Sequence, residues 1–280
     1  MTDMFERILV AVDGTVPASN AADHAAGIAS AFDARLDIVH VLEGDAALGD
    51  PRDRGAEIID EAAAPATERG VTVESYLLDG RPPRAIADHA AANDIDLGVM
   101  GRHGRSGAGE RLLGTVTDRV LRTVDIPVLA VGATDTPTDY EAVLVPTDGS
   151  DAAERALPYG EDIADAYGAG LHVLTVVDVE SAAGVFDAGG ISGEFVDRLT
   201  AKGQDAVDRL ADAVTADLEV TQAVVRGTPH EEIGGYATDH GIDLVVMGST
   251  GASSLTGQAL GSVANRVLRT VQVPVLVVSE

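Results

Sequence analysis

Short apolar runs alternate with segments of helical periodicity along the whole chain. In the first half, apolar runs at residues 7–12, 36–42, 71–77, 95–100 and 128–131 predict five β-strands. The run 71–77 alternates with period two, which is typical of a strand with one exposed face or at a sheet edge. Helical spacing at 18–32, 56–68, 82–92 and 116–124 predicts four helices, and the polar segment 44–54 predicts a loop. The alternation predicts an α/β fold with a parallel sheet covered by helices on both faces.

The second half of the chain repeats the first. Residues 143–150 match residues 8–15 at an offset of 135, and residues 267–271 match residues 120–124 at an offset of 147. The difference of 12 residues is an insertion in the second copy, which falls within residues 178–193. Because this period has the length of whole domains, we predict two tandem doubly wound domains at residues 1–134 and 140–280.

A glycine frame follows the fourth predicted strand of each copy. Both frames fit G-x2-G-x9-G followed by Thr or Ser, and they end at the start of a predicted helix. Glycine lets main-chain N–H groups face a bound anion, and the positive end of a helix favours phosphate. The two frames therefore indicate phosphate binding, whereas a flexible surface loop is the alternative. The frame residues are Gly101, Gly104, Gly114 and Thr115 in the first copy, and Gly248, Gly251, Gly261 and Ser262 in the second.

An aspartate follows the first predicted strand of each copy, Asp13 in one and Asp148 in the other. Ligands of doubly wound sheets bind beyond the carboxyl ends of the strands, where the strand order reverses. We therefore expect each aspartate to face the glycine frame of its own copy. A carboxylate beside phosphates suits a ribose hydroxyl, a base amine or Mg²⁺, which indicates a nucleotide. A helix N-cap is the other role expected of these aspartates, and the nucleotide hypothesis fails if the frame lies far from the first strand.

Other kinds of chemistry find little support. There is no G-x4-G-K motif, no G-x-G-x-x-G after a strand and no cysteine, which disfavours P-loop enzymes, dinucleotide dehydrogenases and thiolate sites. The seven histidines lack metal-binding spacing, so we predict no metal site made by side chains alone. Neither Thr115 nor Ser262 has a histidine placed by sequence to activate it, so we predict no catalytic residue.

The charge of the chain is strongly acidic. The net charge is −27, and Lys202 is the only lysine. This charge repels nucleic acid and anionic membranes, and the self-repulsion predicts a halophilic cytosol in which salt screens it. Because no signal peptide or apolar segment of about 20 residues is recognisable, we expect a cytoplasmic protein. Aromatic residues make up 3%, so the core should consist of Val, Leu, Ile and Ala.

The Asp-Gly turns, the two glycine frames and the closing segments 126–129 and 273–276 resemble the universal stress protein family, in its ATP-binding branch. The resemblance covers nearly the whole chain. It implies a five-stranded parallel sheet of order 3-2-1-4-5 in each domain, ATP with Mg²⁺ as cofactor, and pairing of the two domains within the chain through the last strands, 128–131 and 275–278. The resemblance leaves open whether two whole chains also form a homodimer.

The same resemblance implies binding residues, position by position. The base or ribose would be met by Asp13, Val41, Asp148 and Val176. The ribose and phosphates would be met by Met100, Gly101, Gly104, Gly114, Thr115 and Val116 in the first domain, and by Met247, Gly248, Gly251, Gly261, Ser262 and Val263 in the second.

Two sequence features bear on how the sites would work. Arg102, His103 and Arg105 add positive charge to the first loop, so we expect the first site to bind ATP more tightly. No lysine, arginine or glutamine stands at a recognisable catalytic position, which favours a nucleotide-dependent regulatory or stress-response module over an enzyme. A slow Mg²⁺-dependent ATP hydrolase and a structural pseudo-dimer with one or both sites empty are the alternatives.

Overall fold

The computed structural model describes residues 4–43, 51–102, 113–134, 139–183, 192–251 and 260–279. The chain divides into two compact units. The first unit consists of Met1–Asp139 and Gln272–Ser279, and the second consists of Tyr140–Val271 with Glu280.

The first unit contains a parallel five-stranded sheet with an added antiparallel strand. Its strands run in the order β3-β2-β1-β4-β5, and β10 pairs antiparallel with β5. The elements along this unit are β1 (Arg7–Ala11), α1 (Val16–Phe32), β2 (Arg35–Leu42), α2 (Pro51–Glu68), β3 (Val73–Asp79), α3 (Pro82–Ala92), β4 (Leu97–Gly101), α4 (Thr115–Leu121), β5 (Val128–Val131) and β10 (Val275–Val278).

The second unit repeats this arrangement around four parallel strands. They run in the order β9-β6-β7-β8. Its elements are β6 (Ala142–Pro146), α5 (Asp151–Tyr167), β7 (Gly170–Val177), α6 (Val179–Ala183), α7 (Gly193–Asp212), β8 (Val220–Arg226), α8 (Pro229–Asp239), β9 (Leu244–Gly248) and α9 (Ser262–Thr270).

The predicted α/β class with tandem parallel sheets is confirmed. The strand content differs in detail, because the described residues of the two units form six and four strands rather than five each. The cause is β10, which hydrogen-bonds along β5 with Val275 opposite Ala130 and Val277 opposite Val128. The main-chain groups at that edge of β5 are thereby satisfied.

Several predicted boundaries were wrong by a few residues. α2 already begins at Pro51, inside the predicted loop, because proline suits the first turn of a helix. The strand predicted at 71–77 lies at Val73–Asp79, where its pairing with β2 places it, and it forms the edge of the parallel set. α4 ends at Leu121 rather than at residue 124, since the next residues form a turn on the carbonyl of Val120.

Small side chains let the first helix of each unit lie close to its sheet. The predicted alanine face of α1 is fully buried, with Ala22, Ala25, Ala26 and Ala29 at most 1% exposed. Four of the nine aromatic residues lie at one repeated place. Phe5 meets Phe32 edge to face at 5.0 Å between ring centroids, and Tyr140 meets Tyr167 in the same way at 4.9 Å. Each pair packs the start of a first strand against the end of the helix that follows it.

A duplicated carboxylate holds the start of each first strand. The Asp96 Oδ2 atom accepts hydrogen bonds from the N–H groups of Glu6 and Arg7, both at 2.9 Å. Asp243 Oδ2 accepts the corresponding bonds from Glu141 at 2.8 Å and Ala142 at 3.1 Å. Both aspartates lie just before the fourth strand of their unit. They therefore help to hold the first and fourth strands side by side, which also places the carboxyl ends of these strands together.

The first glycine of each frame allows a helix to lie directly on the end of the fourth strand. A Cβ atom at Gly101 would lie 2.9 Å from the carbonyl carbon of Pro17, and one at Gly248 would lie 2.6 Å from the carbonyl oxygen of Ala152. These neighbours are backbone atoms at the start of α1 and α5, which cannot rotate away. Close packing thus requires these glycines whether or not a ligand binds.

We expect Gly248→Ala to lower the free energy of unfolding by about 1–3 kcal/mol, the usual cost of overpacking. The control is Gly235→Ala, on α8, where an added Cβ meets nothing within 4 Å. Alanine there should be neutral or stabilise by up to about 1 kcal/mol. Urea unfolding monitored by circular dichroism checks both variants. Equal stability of the two variants would contradict the packing explanation.

Candidate functional site

Each first strand ends in a tight Asp-Gly turn. Gly14 and Gly149 have φ values of +77° and +76°, a left-handed conformation that favours glycine. Asp13 Oδ1 accepts hydrogen bonds from the N–H of Thr15 at 3.1 Å and from its hydroxyl at 2.5 Å. Asp148 Oδ1 accepts the N–H of the equivalent residue, Ser150, at 3.0 Å. Each carboxylate therefore folds back over its own turn.

The expected N-cap role of the aspartates was wrong. α1 begins after Thr15 and α5 begins after Ser150, so each aspartate lies two residues before the cap. The Ser150 hydroxyl accepts a hydrogen bond from the N–H of Ala153 at 3.4 Å, as an N-cap side chain does. The turn contacts described above all go to the Oδ1 atom of each aspartate.

A buried side chain from the second strand fixes the residue before each aspartate. The His40 Nδ1 atom lies 2.8 Å from the carbonyl oxygen of Val12, so its N–H tautomer donates to that oxygen. The Thr175 hydroxyl donates to the carbonyl of Thr147 at 2.9 Å. His40 and Thr175 are buried and stand at matching positions, 135 residues apart. No sequence motif marks this role, although the repeat offset of 135 pairs the two residues.

We expect Thr175→Val to destabilise the protein by about 1–3 kcal/mol, because it leaves the buried carbonyl of Thr147 without its donor while nearly preserving volume. The control is Thr238→Val, since Thr238 is exposed and its hydroxyl bonds the Gly234 carbonyl one turn back on α8. Thr238→Val should change the free energy of unfolding by less than about 0.5 kcal/mol. Denaturant titration measures the stability of both variants. A Thr175→Val variant as stable as the control would refute the proposed stabilisation by the Thr175–Thr147 hydrogen bond.

The last glycine of each frame returns to the end of the fourth strand. The Gly114 N–H donates to the carbonyl of Arg102 at 2.5 Å, and the Gly261 N–H donates to the carbonyl of Ser249 at 2.6 Å. The Thr117 hydroxyl adds a bond of 2.7 Å to the carbonyl of Gly101. Each glycine loop is thus closed at its base. Gly104, with the rest of 103–112 and 252–259, lies outside the described residues.

In the second unit the middle glycine of the frame lies against the aspartate of the first strand. A Cβ atom at Gly251 would lie 2.7 Å from Asp148 Oδ2, closer than two such atoms ordinarily approach. At Gly261 the corresponding distance to the Ser249 carbonyl oxygen is 3.2 Å. The frame and the tip of β6 therefore meet at one place.

The starts of α4 and α9 supply main-chain donors beside the closed loops. The first intrahelical bond of α4 joins the Asp118 N–H to the Gly114 carbonyl at 2.9 Å. In α9 the Asn265 N–H bonds the Gly261 carbonyl at 3.0 Å. N–H groups before the first intrahelical bond point out of the helix end. The N–H groups of four predicted site residues belong to this set, namely Thr115 and Val116 in α4 and Ser262 and Val263 in α9.

The remaining predicted site residues differ in how they could contact a ligand. The side chains of Met100 and Met247 are buried, at 4% and 7% exposure, so they contribute to the core, and a ligand would meet their main chain. Val41 and Val176 are half-buried near the carboxyl ends of β2 and β7. They stand at the same edge of the sheet as the Asp-Gly turns.

Arginine side chains lie near both candidate sites. Arg102 is buried, and its guanidinium donates to the main-chain carbonyl of Val273. His103 and Arg105 lie outside the described residues. In the second unit, Arg209 on α7 pairs with Glu154 at 3.1 Å and donates to the carbonyl of Gly149 at 3.4 Å. No local pattern marks Arg209, because it comes from a helix about 60 residues further along the chain.

Two other classes of site find no support in the described parts of the chain. No three histidine, aspartate or glutamate side chains there are grouped to hold a metal ion. None of the helices described is long and apolar enough to cross a membrane.

Comparison with known proteins extends this picture. The model of the universal stress protein family matches residues 4–132 and again residues 139–279. Universal stress protein Rv2005c of Mycobacterium tuberculosis is 28% identical over 298 residues, covering 96% of each chain. Universal stress protein MJ0531 of Methanocaldococcus jannaschii is 34% identical over 141 residues, which cover 46% of this chain and 83% of that protein. A crystal structure of a universal stress protein from Archaeoglobus fulgidus shares the fold, with a TM-score of 0.72, 22% identity and 97% coverage of both chains.

Proposed function

Because the chain belongs to the universal stress protein family, we propose that it is an ATP-binding regulatory or stress-response module. Its two domains, residues 1–134 and 140–280, each provide one nucleotide site. The antiparallel pairing of β10 with β5 supports the further proposal that the last strands join these domains within the chain.

The observation that carries the proposal is the meeting of Gly251 with the Asp148 carboxylate. A nucleotide site needs an acceptor for ribose or base beside main-chain donors for phosphate. Asp148 offers the acceptor, and the start of α9, next to the closed loop at Gly261, offers the donors. The equivalent groups of the first domain are Asp13 and the start of α4.

The residues present fit ATP better than a tightly held metal. The donors are main-chain N–H groups, and no cluster of three metal-ligating side chains is found among the described residues. We therefore propose that Mg²⁺ arrives with the phosphates, as it commonly does in nucleotide sites. Asp13 and Asp148 are the residues through which it would meet the protein.

Regulation by bound nucleotide is favoured over hydrolysis. The sole lysine, Lys202, lies on α7 and is exposed, and Arg209 is already paired with Glu154. Phosphoryl transfer usually relies on such cations aimed at the γ-phosphate. The two alternative functions are a slow Mg²⁺-dependent ATP hydrolase and a structural pseudo-dimer with one or both sites empty.

Isothermal titration calorimetry of the full chain with Mg²⁺ and ATP should give about two sites per chain. We expect Gly251→Val to remove one site, because the new side chain displaces the Asp148 carboxylate. The contacted atom ends a flexible side chain, so the fold should tolerate the change. Gly104→Val is the matching change in the first domain, and Gly235→Ala is the control that keeps both sites. No binding heat in the unmodified chain would end the proposal.

The same two variants report the affinity of each site alone. We propose that the first site is the tighter one. The first turn of α5 carries Asp151, besides Glu154 that pairs with Arg209, whereas the first turn of α1 has no acidic residue. Negative charge near a triphosphate weakens binding. Equal affinities in the two variants would contradict this difference.

The nucleotide retained on purification separates the three functions. The protein is purified in high salt, denatured, and the supernatant is analysed for adenine nucleotides. Released ATP supports binding with slow turnover. ADP formed from added ATP supports the hydrolase, and a chain that neither retains nor binds nucleotide is the pseudo-dimer.

The net charge of −27 supports the proposal of a halophilic cytosol. We expect the melting temperature to rise from about 0.1 M to about 1 M KCl, as the Debye length falls from about 10 Å to about 3 Å. Scanning calorimetry measures this, with a neutral osmolyte at matched osmolality as control. Full thermal stability without salt would refute the proposal.

A further inference from the structure

Three ring side chains meet where α8 lies on β7 in the second unit. The His172 Nδ1 atom on β7 is 3.0 Å from the Tyr236 hydroxyl on α8. The rings of Tyr236 and His240 stack at 3.8 Å between centroids, with 14° between their planes. The His240 Nδ1 atom lies 3.1 Å from the Tyr236 carbonyl oxygen, and the His172 and His240 centroids are 6.1 Å apart. One buried tyrosine is therefore held by two imidazoles.

The matching positions of the first unit carry different chemistry. Offsets of 135 and 147 pair His172 with Asp37, Tyr236 with His89, and His240 with Asn93. The fully buried Asp37 carboxylate lies 2.8 Å from His89 Nε2 and 3.0 Å from the Arg7 guanidinium. The first unit thus has one imidazole beside a carboxylate, whereas these positions of the second unit have two imidazoles and no carboxylate.

We propose that His172, Tyr236 and His240 form a proton-sensitive contact that holds α8 on β7 at neutral pH and weakens in mildly acidic solution. A neutral His172 shares a hydrogen bond with the Tyr236 hydroxyl. When both histidines are protonated, two positive rings face each other across that tyrosine, and like charges at short distance repel. The first unit has no second imidazole at this place, so its α3 should not respond in the same way.

The groups that face His172 set the direction of the effect. Burial lowers the pKa of His172, the charge of His240, the residue that follows α8, lowers it further, and Glu219, just before β8, raises it. Tyr236 is the titratable side chain of α8 that contacts His172, and burial raises its pKa, so it stays neutral here. From β6, the residue paired with His172 is the apolar Leu144.

The sign of the pH dependence follows from linkage. Because the pKa of His172 in the folded chain lies below the unfolded value of about 6.5, the unfolded chain binds more protons in this window. The contribution of this contact to stability is fully present above about pH 6.5 and is lost as pH falls through the pKa of His172 in the folded chain. One such proton changes the opening equilibrium by up to about tenfold per pH unit.

Hydrogen exchange of the full chain, corrected for intrinsic rates, tests the proposal at about pH 7.5 and about pH 5.5. We expect protection of α8 to fall several-fold more than that of α3, the matching helix of the first unit. His172→Gln, which removes the titrating ring, should flatten this response. His240→Asn, which introduces the residue found at position 93, should reduce it.

His230→Asn is the matched control, since it removes a histidine from the first turn of α8 outside the cluster. It should keep the pH response of the unmodified chain. Because His240 is exposed, His240→Asn is expected to fold. Parallel loss of protection in α8 and α3, or a response unchanged in both cluster variants, would overturn the proposal.

Discussion

The register of the first strand between its two neighbours is the constraint on which the candidate site depends. Asp96 and Asp243 hold the start of β1 and β6 beside the fourth strand, and His40 and Thr175 hold the end against the second strand. A strand fixed at both ends delivers its Asp-Gly turn to one place. A shift of one residue in register would turn every side chain of the strand to the other face of the sheet. These few polar contacts therefore have a large effect on where the Asp-Gly turn lies.

Local patterns predicted the fold and the general place of the site. Alternating apolar runs predicted the strands, and the alanine spacing predicted the face of α1 that lies on the sheet. Contacts between distant segments could not be predicted in this way. The pairing of β10 with β5 was implied by the family resemblance alone. The approach of Arg209 to Gly149 and the burial of Arg102 depend on where the chain returns after long connections.

The duplicated units conserve main-chain geometry at one end of the sheet and differ in side-chain chemistry at the other. At the carboxyl ends of the strands, the turns, loop closures and helix starts recur with the same bonds. Near the amino ends, the first unit has an ion-pair network of Arg7, Asp37 and Glu74, whereas the second unit has the stacked rings of Tyr236 and His240. Main-chain donors tolerate such divergence, because they depend on the fold rather than on particular side chains.

The glycine frames contain positions of two kinds, and they do not support a nucleotide site equally. Gly101 and Gly248 are required by backbone atoms of the neighbouring helix, so they would be glycine in a chain that bound nothing. At Gly251 the close atom belongs to the Asp148 carboxylate, which could turn aside if only packing mattered. Its proximity to an acidic group at the tip of the first strand is therefore the more informative feature. The sequence motif alone gives all glycines the same weight, and only the surrounding atoms distinguish packing from binding.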